Sequence, residues 1–282
     1  MPEGKISIAT CQFAVGPNPR RNGAQIRRQM IQAKNAGAEV VHFPEAALSG
    51  YGVADIKRWD GYDWNALREE TERAMELAAR LGVWVILGSS HRLSGDHLPH
   101  NSLYAIDPSG RIVERYDKSF CTGGDLRMYS CGDHLSVITI NGLRCGLLIC
   151  YDIRFPEIYR AYKRENVACI FHSFYNARAD GPSIHTTIMR PTLQGHAGIN
   201  YVWISATNSS AYYGSWPSVF VRCDGTILGS LHFHRAGIMV NVVDTTTQFY
   251  DASHAYRDRA MEGLLSSADG VDDPRSRDRR SL

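Results

Sequence analysis

Four short segments of this 282-residue chain place a reactive side chain at or just past the end of a strand-like run. Glu45 follows EVVHFP, Lys118 follows RIVERYD, Cys150 follows LRCGLLI, and His172 lies within CIFHS. Cys150 is the sharpest of the four. The mostly apolar stretch from Val137 to Ile149 ends abruptly in CYDIRFPE, residues 150–157. A cysteine at a strand-to-turn junction can expose its sulfur while nearby backbone N–H groups point inward. That suits attack on a carbonyl whose oxyanion is held by N–H donors. The thiolate is the attacking species, so a neighbour must take the proton or lower the thiol pKa. A glutamate can be that base, and a lysine ammonium can stabilise both thiolate and oxyanion. Taken singly, each residue also has a plainer reading: a buried structural thiol for Cys150, a turn cap for Glu45, a hairpin charge for Lys118.

Such side chains can converge only if the elements before them share one sheet edge, and sites in open α/β sheets gather at the carboxyl ends of strands. Residues 5–13 (KISIATCQF) alternate like a strand, and a helix pattern runs from about Asn22 to Ala36, with Ile26, Met30 and Ala33 on one face and Gly37 as a stop. EVVHF (39–43) reads as a short buried strand. Residues 65–81 carry a second apolar stripe through Leu67, Thr71, Ala74, Ala78 and Leu81, and the run VWVILGSS follows at 83–90. This alternation predicts an α/β layered fold. NSLYAID and RIVERYD flank the turn DPSG. LSVITI and LRCGLLI flank Asn141-Gly142, a strong hairpin signal. Pro156 opens a helix. Residues 169–173, a helix over roughly 183–198, YVWISATN (201–208), a hairpin around CDGT (223–226) and the strand GIMVNVVD (237–244) complete the core.

The flanks of the reactive residues resemble the nitrilase superfamily of carbon–nitrogen hydrolases. The matching stretches are FPEAALSGYG (43–52), RYDKSF (115–120) and GLLICYDIRFPE (146–157), and the likeness runs from KISIATCQF to about residue 245. The resemblance implies a four-layer α-β-β-α sandwich that commonly pairs sheets across a dimer. It implies Cys150 as nucleophile, Glu45 as general base, Lys118 as a holder of the tetrahedral intermediate, and the Tyr151 backbone N–H as an oxyanion donor. The reaction implied is hydrolysis of a non-peptide carbon–nitrogen bond in a small amide or N-carbamoyl substrate. It runs through a cysteine thioester, releases ammonia or an amine, and needs no cofactor.

Three departures from the family pattern stand out. Many relatives carry a second glutamate seven residues before the glycine of a Pro-Gly pair, in the stretch after the lysine. Here Asp125 lies seven before Gly132, with Cys131 at the proline's place. The shorter side chain keeps the charge but moves the carboxylate by roughly 1.5 Å, about one bond length. QGHAGINYVW (194–203) stands where relatives often have an Arg-Ala-x-Glu-Asn run, a change expected to act on packing or assembly. Tyr151-Asp152 follows the cysteine, where nitrile-hydrolysing members usually have Trp-Glu, which tilts the reading toward an amidase or carbamoylase. The alternatives are a nitrilase proper and a catalytically silent binding or scaffold subunit.

Other conspicuous residues read more simply. Arg154 and Glu157 are expected to pair and brace the turn beside Cys150. His172 is expected to be a hydrogen-bonded structural histidine, with pocket lining as the alternative. His232 and His234 alternate on one face of HFH, but no carboxylate or cysteine at ligand spacing accompanies them, so no metal is expected. Tyr51 is expected near Glu45, and Tyr175, Tyr212, Tyr213 and Trp216 either wall the substrate site or pack the core or an interface.

The bulk composition excludes several partners. Lys plus Arg (31) minus Asp plus Glu (29) gives +2, a near-balance that argues against nucleic acid or an anionic membrane. No stretch approaches the roughly 20 apolar residues of a membrane span, and MPEGKISIATCQF lacks the pattern of a signal peptide. The seven cysteines are scattered without a CxxC pair, as expected in the reducing cytoplasm. A hydrolase domain over residues 1–262 is expected to end in a flexible tail, 263–282, with four Asp and four Arg. The resemblance favours a homodimer or larger homo-oligomer.

Overall fold

Alternating burial organises the chain into layers. The computed structural model describes residues 4–176, 183–212 and 214–280. In its first half, β1 (Lys5–Gln12), α1 (Pro19–Asn35), β2 (Val40–His42), α2 (Trp64–Leu81) and β3 (Trp84–His91) are followed by the strands β4 (His100–Ile106) and β5 (Ile112–Asp117). The second half runs β6 (Val137–Ile140), β7 (Leu143–Ile149), α3 (Pro156–Arg164), β8 (Cys169–Ser173), α4 (Ile184–Asn200) and β9 (Trp203–Thr207). It closes with β10 (Val219–Val221), β11 (Ile227–Ser230), β12 (Gly237–Asp244), α5 (Arg257–Met261) and α6 (Pro274–Arg277).

Two six-stranded sheets result, ordered β12-β1-β2-β3-β4-β5 and β11-β10-β9-β8-β7-β6. Successive strand residues point to opposite faces. Ile6, Ile8, Val40, Ile86 and Leu103 therefore join a core shared with the second sheet. Their neighbours Ala9, Cys11, Val41, Val85, Leu87 and Tyr104 pack with Ile26 and Met30 of α1 and Leu67, Ala74 and Leu77 of α2. Tyr159 and Tyr162 of α3 and Met189 and Leu193 of α4 pack against the second sheet. The order of layers is α-β-β-α.

Local signals account for most boundaries. Asn18 accepts from Arg20 N (3.0 Å) and Arg21 N (3.2 Å), and Pro19 takes the first helical position. The helix thus begins three residues before Asn22, on an Asn-Pro start. Asn141 (φ 47°) and Gly142 (φ 79°) form the expected tight hairpin between β6 and β7. Residues 262–280 are exposed and include α6. Within them Asp269 pairs with Arg259 at 3.0 Å, and Ser266 O accepts from the same guanidinium at 2.7 Å. Among the described residues no helix is long and apolar enough to cross a membrane.

Candidate active site

Two strand ends deliver charge to one buried point. β2 ends at His42, and the turn carrying Glu45 crosses β3 at Gly88, where an added Cβ would lie 2.1 Å from Pro44 O. Ala46, next in the chain, has φ 52°, a costly value for a residue with a Cβ. Lys118 follows β5, with its N–H donating to Asn101 O at 2.9 Å. Its ammonium lies 2.9 Å from Glu45 Oε1 and 2.9 Å from Asp125 Oδ2, and all three side chains are fully buried. Asn101 Nδ2 also donates to Glu45 Oε1 (2.7 Å), and the Tyr175 backbone N–H donates to Glu45 Oε2 (2.8 Å). Asp125 accepts from Tyr51 OH (2.6 Å) on Oδ1 and from Thr122 N and Oγ1 (both 2.9 Å) on Oδ2.

These contacts offset the cost of burying charge. Burial alone would push Lys118 toward the neutral amine, but Glu45, Cys150, Tyr51 and Asp125 together hold its pKa well above the usual lysine value. Burial likewise raises the Asp125 carboxyl, and Lys118 with the Tyr51 and Thr122 donors outweighs it, so Asp125 sits below its usual value.

Cys150 opens a short 3-10 turn, Cys150–Arg154, immediately after β7 and adopts φ 45°. Asp152 fastens this turn. It accepts from Ile149 N (2.8 Å) and Tyr116 OH (2.8 Å) on Oδ2 and from Phe120 N (3.0 Å) on Oδ1. One carboxylate thus ties the Cys150 turn to the end of β5 and to the segment after Lys118. Burial raises Asp152 to about 6. Burial and the charge of Glu45 raise the Cys150 thiol well above its ordinary range, with Lys118 pulling the other way. The group therefore holds a neutral thiol at rest beside a carboxylate and an ammonium.

A family model described as Carbon-nitrogen hydrolase matches residues 7–249. The chain belongs to this family. It is 30% identical over 177 residues to a deaminated glutathione amidase of Yersinia enterocolitica, a match spanning 58% of this chain and 60% of that protein. It is 26% identical over 225 residues to an omega-amidase of Xenopus tropicalis, covering 75% and 79% of the two chains. A solved amidase from Nesterenkonia AN1, of the nitrilase superfamily, superposes with a TM-score of 0.75 at 22% identity, over 93% of this chain and 97% of that one, so the two share a fold. A variant of that amidase carries the acetamide moiety of fluoroacetamide on its active site cysteine.

The remaining predicted residues of this carbon–nitrogen hydrolase divide by position. Tyr51 stands over the Lys118 ammonium, 5.9 Å from ring centre to Nζ, and its ring lies 4.9 Å from that of Tyr175. Tyr175 OH donates to Asp55 Oδ1 at 3.0 Å. The Tyr151 side chain is exposed and meets Phe155 edge-on, while Phe155 stacks on Phe120 at 3.6 Å. His172 is buried between Tyr159, whose OH is 2.7 Å from Nδ1, and Phe174; burial holds it neutral. Trp216 is buried against Phe174, Tyr212 is exposed, and Tyr213 lies outside the described residues.

One expectation is corrected. Arg154 does not pair with Glu157; its guanidinium lies 3.3 Å from His185 Nδ1, and Glu157 is exposed in the first turn of α3. The helix start directs Glu157 outward, away from the turn. In the divergent 194–203 stretch, His196 stacks on Tyr159 at 3.8 Å, and its Nε2 lies 2.9 Å from Ile153 O in the Cys150 turn. Among the described residues no His, Cys, Asp or Glu group is arranged to hold a metal ion. A cavity of about 660 Å³ lined by Lys163, Tyr201, Trp203, Phe249 and Arg257 includes none of the site residues named above. Sequence reasoning missed Asn101 and Asn176. Asn101 opens the NSLYAID strand and Asn176 follows the strand CIFHS, and strand-end position is the only signal that could have found them.

Proposed function

We propose that the chain hydrolyses a small amide or N-carbamoyl compound through a thioester on Cys150. The reading rests on one observation: Glu45 and Lys118, from two strand ends, form a buried ion pair at 2.9 Å, and their charges act on the half-buried Cys150 sulfur at the end of a third strand. Glu45 Oε2 accepts from the Tyr175 N–H while Oε1 accepts from both Asn101 and Lys118, so Oε2 has room to accept the thiol proton as Sγ bonds to the substrate carbonyl carbon. The Lys118 ammonium and the Tyr151 backbone N–H hold the resulting oxyanion, a kind of contact worth about 10²–10³ in rate per donor. Asp125 and Tyr51 fix the ammonium. The carbon–nitrogen bond then breaks as Glu45 returns the proton to nitrogen, and ammonia or an amine leaves. A water that gives its proton to Glu45 attacks the thioester, releasing the acid and restoring the thiol.

The amidases among the relatives support amide over nitrile chemistry, and the acetamide moiety carried by the active site cysteine of a structural neighbour supports a nucleophilic cysteine at this place in the fold. The deciding experiment is intact-protein and peptide mass spectrometry after mixing with a panel of small amides. An acyl mass on the Cys150 peptide is expected. Undiminished amide turnover by purified Cys150→Ala would end the proposal. The reading extends to a cytoplasmic enzyme, supported by seven cysteines that are all free thiols, and to self-association, which light scattering on the purified chain tests.

A further inference from the structure

Asn176, just past β8 and only 9% exposed, has a side chain whose orientation is forced. Trp216 Nε1 lies 2.7 Å from its Oδ1. An indole N–H can only donate, so the carboxamide must turn its oxygen there and its NH₂ the other way. That NH₂ lies 3.4 Å from Cys150 Sγ. The rest of the residue is clamped too. Asn176 N donates to Asn208 Oδ1 (2.8 Å), Ser215 N donates to Asn176 O (2.9 Å), and Asn208 Nδ2 donates to Trp216 O (2.7 Å). The donor is therefore held in place before any substrate arrives.

The sulfur sits among opposing groups. Those acting on it are Glu45 beyond β2, Tyr51 in the turn after it, Lys118 after β5, Asp125 in the following segment and the Tyr175 backbone N–H, which donates to it, while His172 within β8 meets the Cys150 backbone. Glu45 and Asp125 oppose a negative sulfur, as does burial. The Lys118 ammonium favours it but already serves both carboxylates at 2.9 Å. A hydrogen bond to an ionised acceptor is about twice as strong as one to a neutral acceptor, so a fixed N–H aimed at Sγ favours thiolate over thiol.

We propose that Asn176 is a further catalytic residue: its carboxamide N–H donates to Cys150 Sγ and steadies the thiolate both as it forms and as it departs from the thioester, with Trp216 setting the carboxamide's orientation. This rests on Cys150 being the nucleophile. It adds a sulfur-directed donor to the oxyanion-directed ones.

The test is the rate of Cys150 alkylation by iodoacetamide against pH, read by peptide mass spectrometry on the full chain, alongside amide turnover. Asn176→Leu removes the donor and is expected to move the alkylation midpoint up by about one pH unit, slowing reaction near neutrality about tenfold. Trp216→Phe keeps the ring but frees the carboxamide to rotate, and a smaller shift in the same direction is expected. An unchanged profile in Asn176→Leu overturns the proposal. If that variant does not fold, an unchanged profile in Trp216→Phe does so instead. A packing role alone would leave the midpoint where it is. Cys150→Ala reports separately on the nucleophile: retained turnover there sinks that assignment, while the alkylation profile still tells whether Asn176 contacts the sulfur.

Discussion

Lys118 is the residue on which the buried charges depend. Replacing it with Met would leave Glu45 and Asp125 facing each other without a counter-charge, and breaking a buried pair in this way costs about 3–5 kcal/mol. The pH dependence of that loss has a definite sign. In the native protein Asp125 lies below its usual pKa, so its contribution to stability is present above the ordinary carboxylate range and is lost as pH falls through its folded value. In Lys118→Met the Asp125 carboxyl, relieved of the ammonium but still buried, should rise above its unfolded pKa. Its contribution is then greatest in acid and is lost as pH increases. Thermal melts at pH 5 and pH 7.5 should show the variant's deficit widening at the higher pH; a constant deficit would refute the pairing. Asp125→Asn should keep the Tyr51 contact but weaken the hold on the ammonium. We expect kcat to fall roughly 10–100-fold, on the scale of a misplaced transition-state donor, measured by steady-state ammonia release once a substrate is in hand.

At the scale of elements, the site depends on how closely neighbouring segments pass. Gly88 lets the Glu45 turn cross β3, and Gly132 lets the chain return beside β5, where an added Cβ would be 2.2 Å from Asp117 O. Gly88→Ala should destabilise the fold by about 1–3 kcal/mol through forced displacement of packed backbone. It should also reduce turnover, because Glu45 moves with that backbone. Chemical denaturation and kinetics on the same sample separate the two effects. Asp152→Asn keeps the shape but turns an NH₂ toward a donor, so about 1–3 kcal/mol should be lost. The Cys150 turn and the Lys118 segment should lose their common tie, detectable as faster hydrogen exchange at Phe120 and Ile149. Between the sheets, His42 bridges Ser205 (Nδ1 to Oγ, 2.9 Å) and Ser173 (Nε2 to Oγ, 2.9 Å). Burial keeps this histidine neutral, with its pKa pushed down to about 3. A satisfied polar bridge of this kind favours one register between the faces of the two sheets.

For the whole molecule, the α/β alternation was legible because period-two strands, 3.6-period helices and the Asn141-Gly142 turn are local signals, whereas the α-β-β-α order of layers was implied only by the family resemblance. The site was legible only in part. Glu45, Lys118 and Cys150 stood out through their flanking motifs, whereas Asn101 and Asn176 are ordinary asparagines until the sheets bring them to Glu45 and Cys150. The segment beyond α5 is exposed, and it contacts the remainder through Arg259. Deleting residues 263–282 is therefore expected to leave the melting temperature and turnover of the full chain unchanged within error. A drop of several degrees on deletion would show that the segment belongs to the folded unit.

By itself the sequence determined the strand–helix alternation, the turns that punctuate it and the three motif residues, since each depends on residues a few positions apart. Tertiary structure decided the partners. It showed that Asp125, though a methylene shorter than the glutamate of many relatives, still reaches Lys118 and Tyr51. It showed that Arg154 turns to His185 rather than Glu157, and that a Trp216 indole orients Asn176 toward the sulfur. The reason is physical: periodicity says which face of an element is buried, but not which side chains of distant elements end up within hydrogen-bond reach. That depends on the register and packing of two sheets on each other.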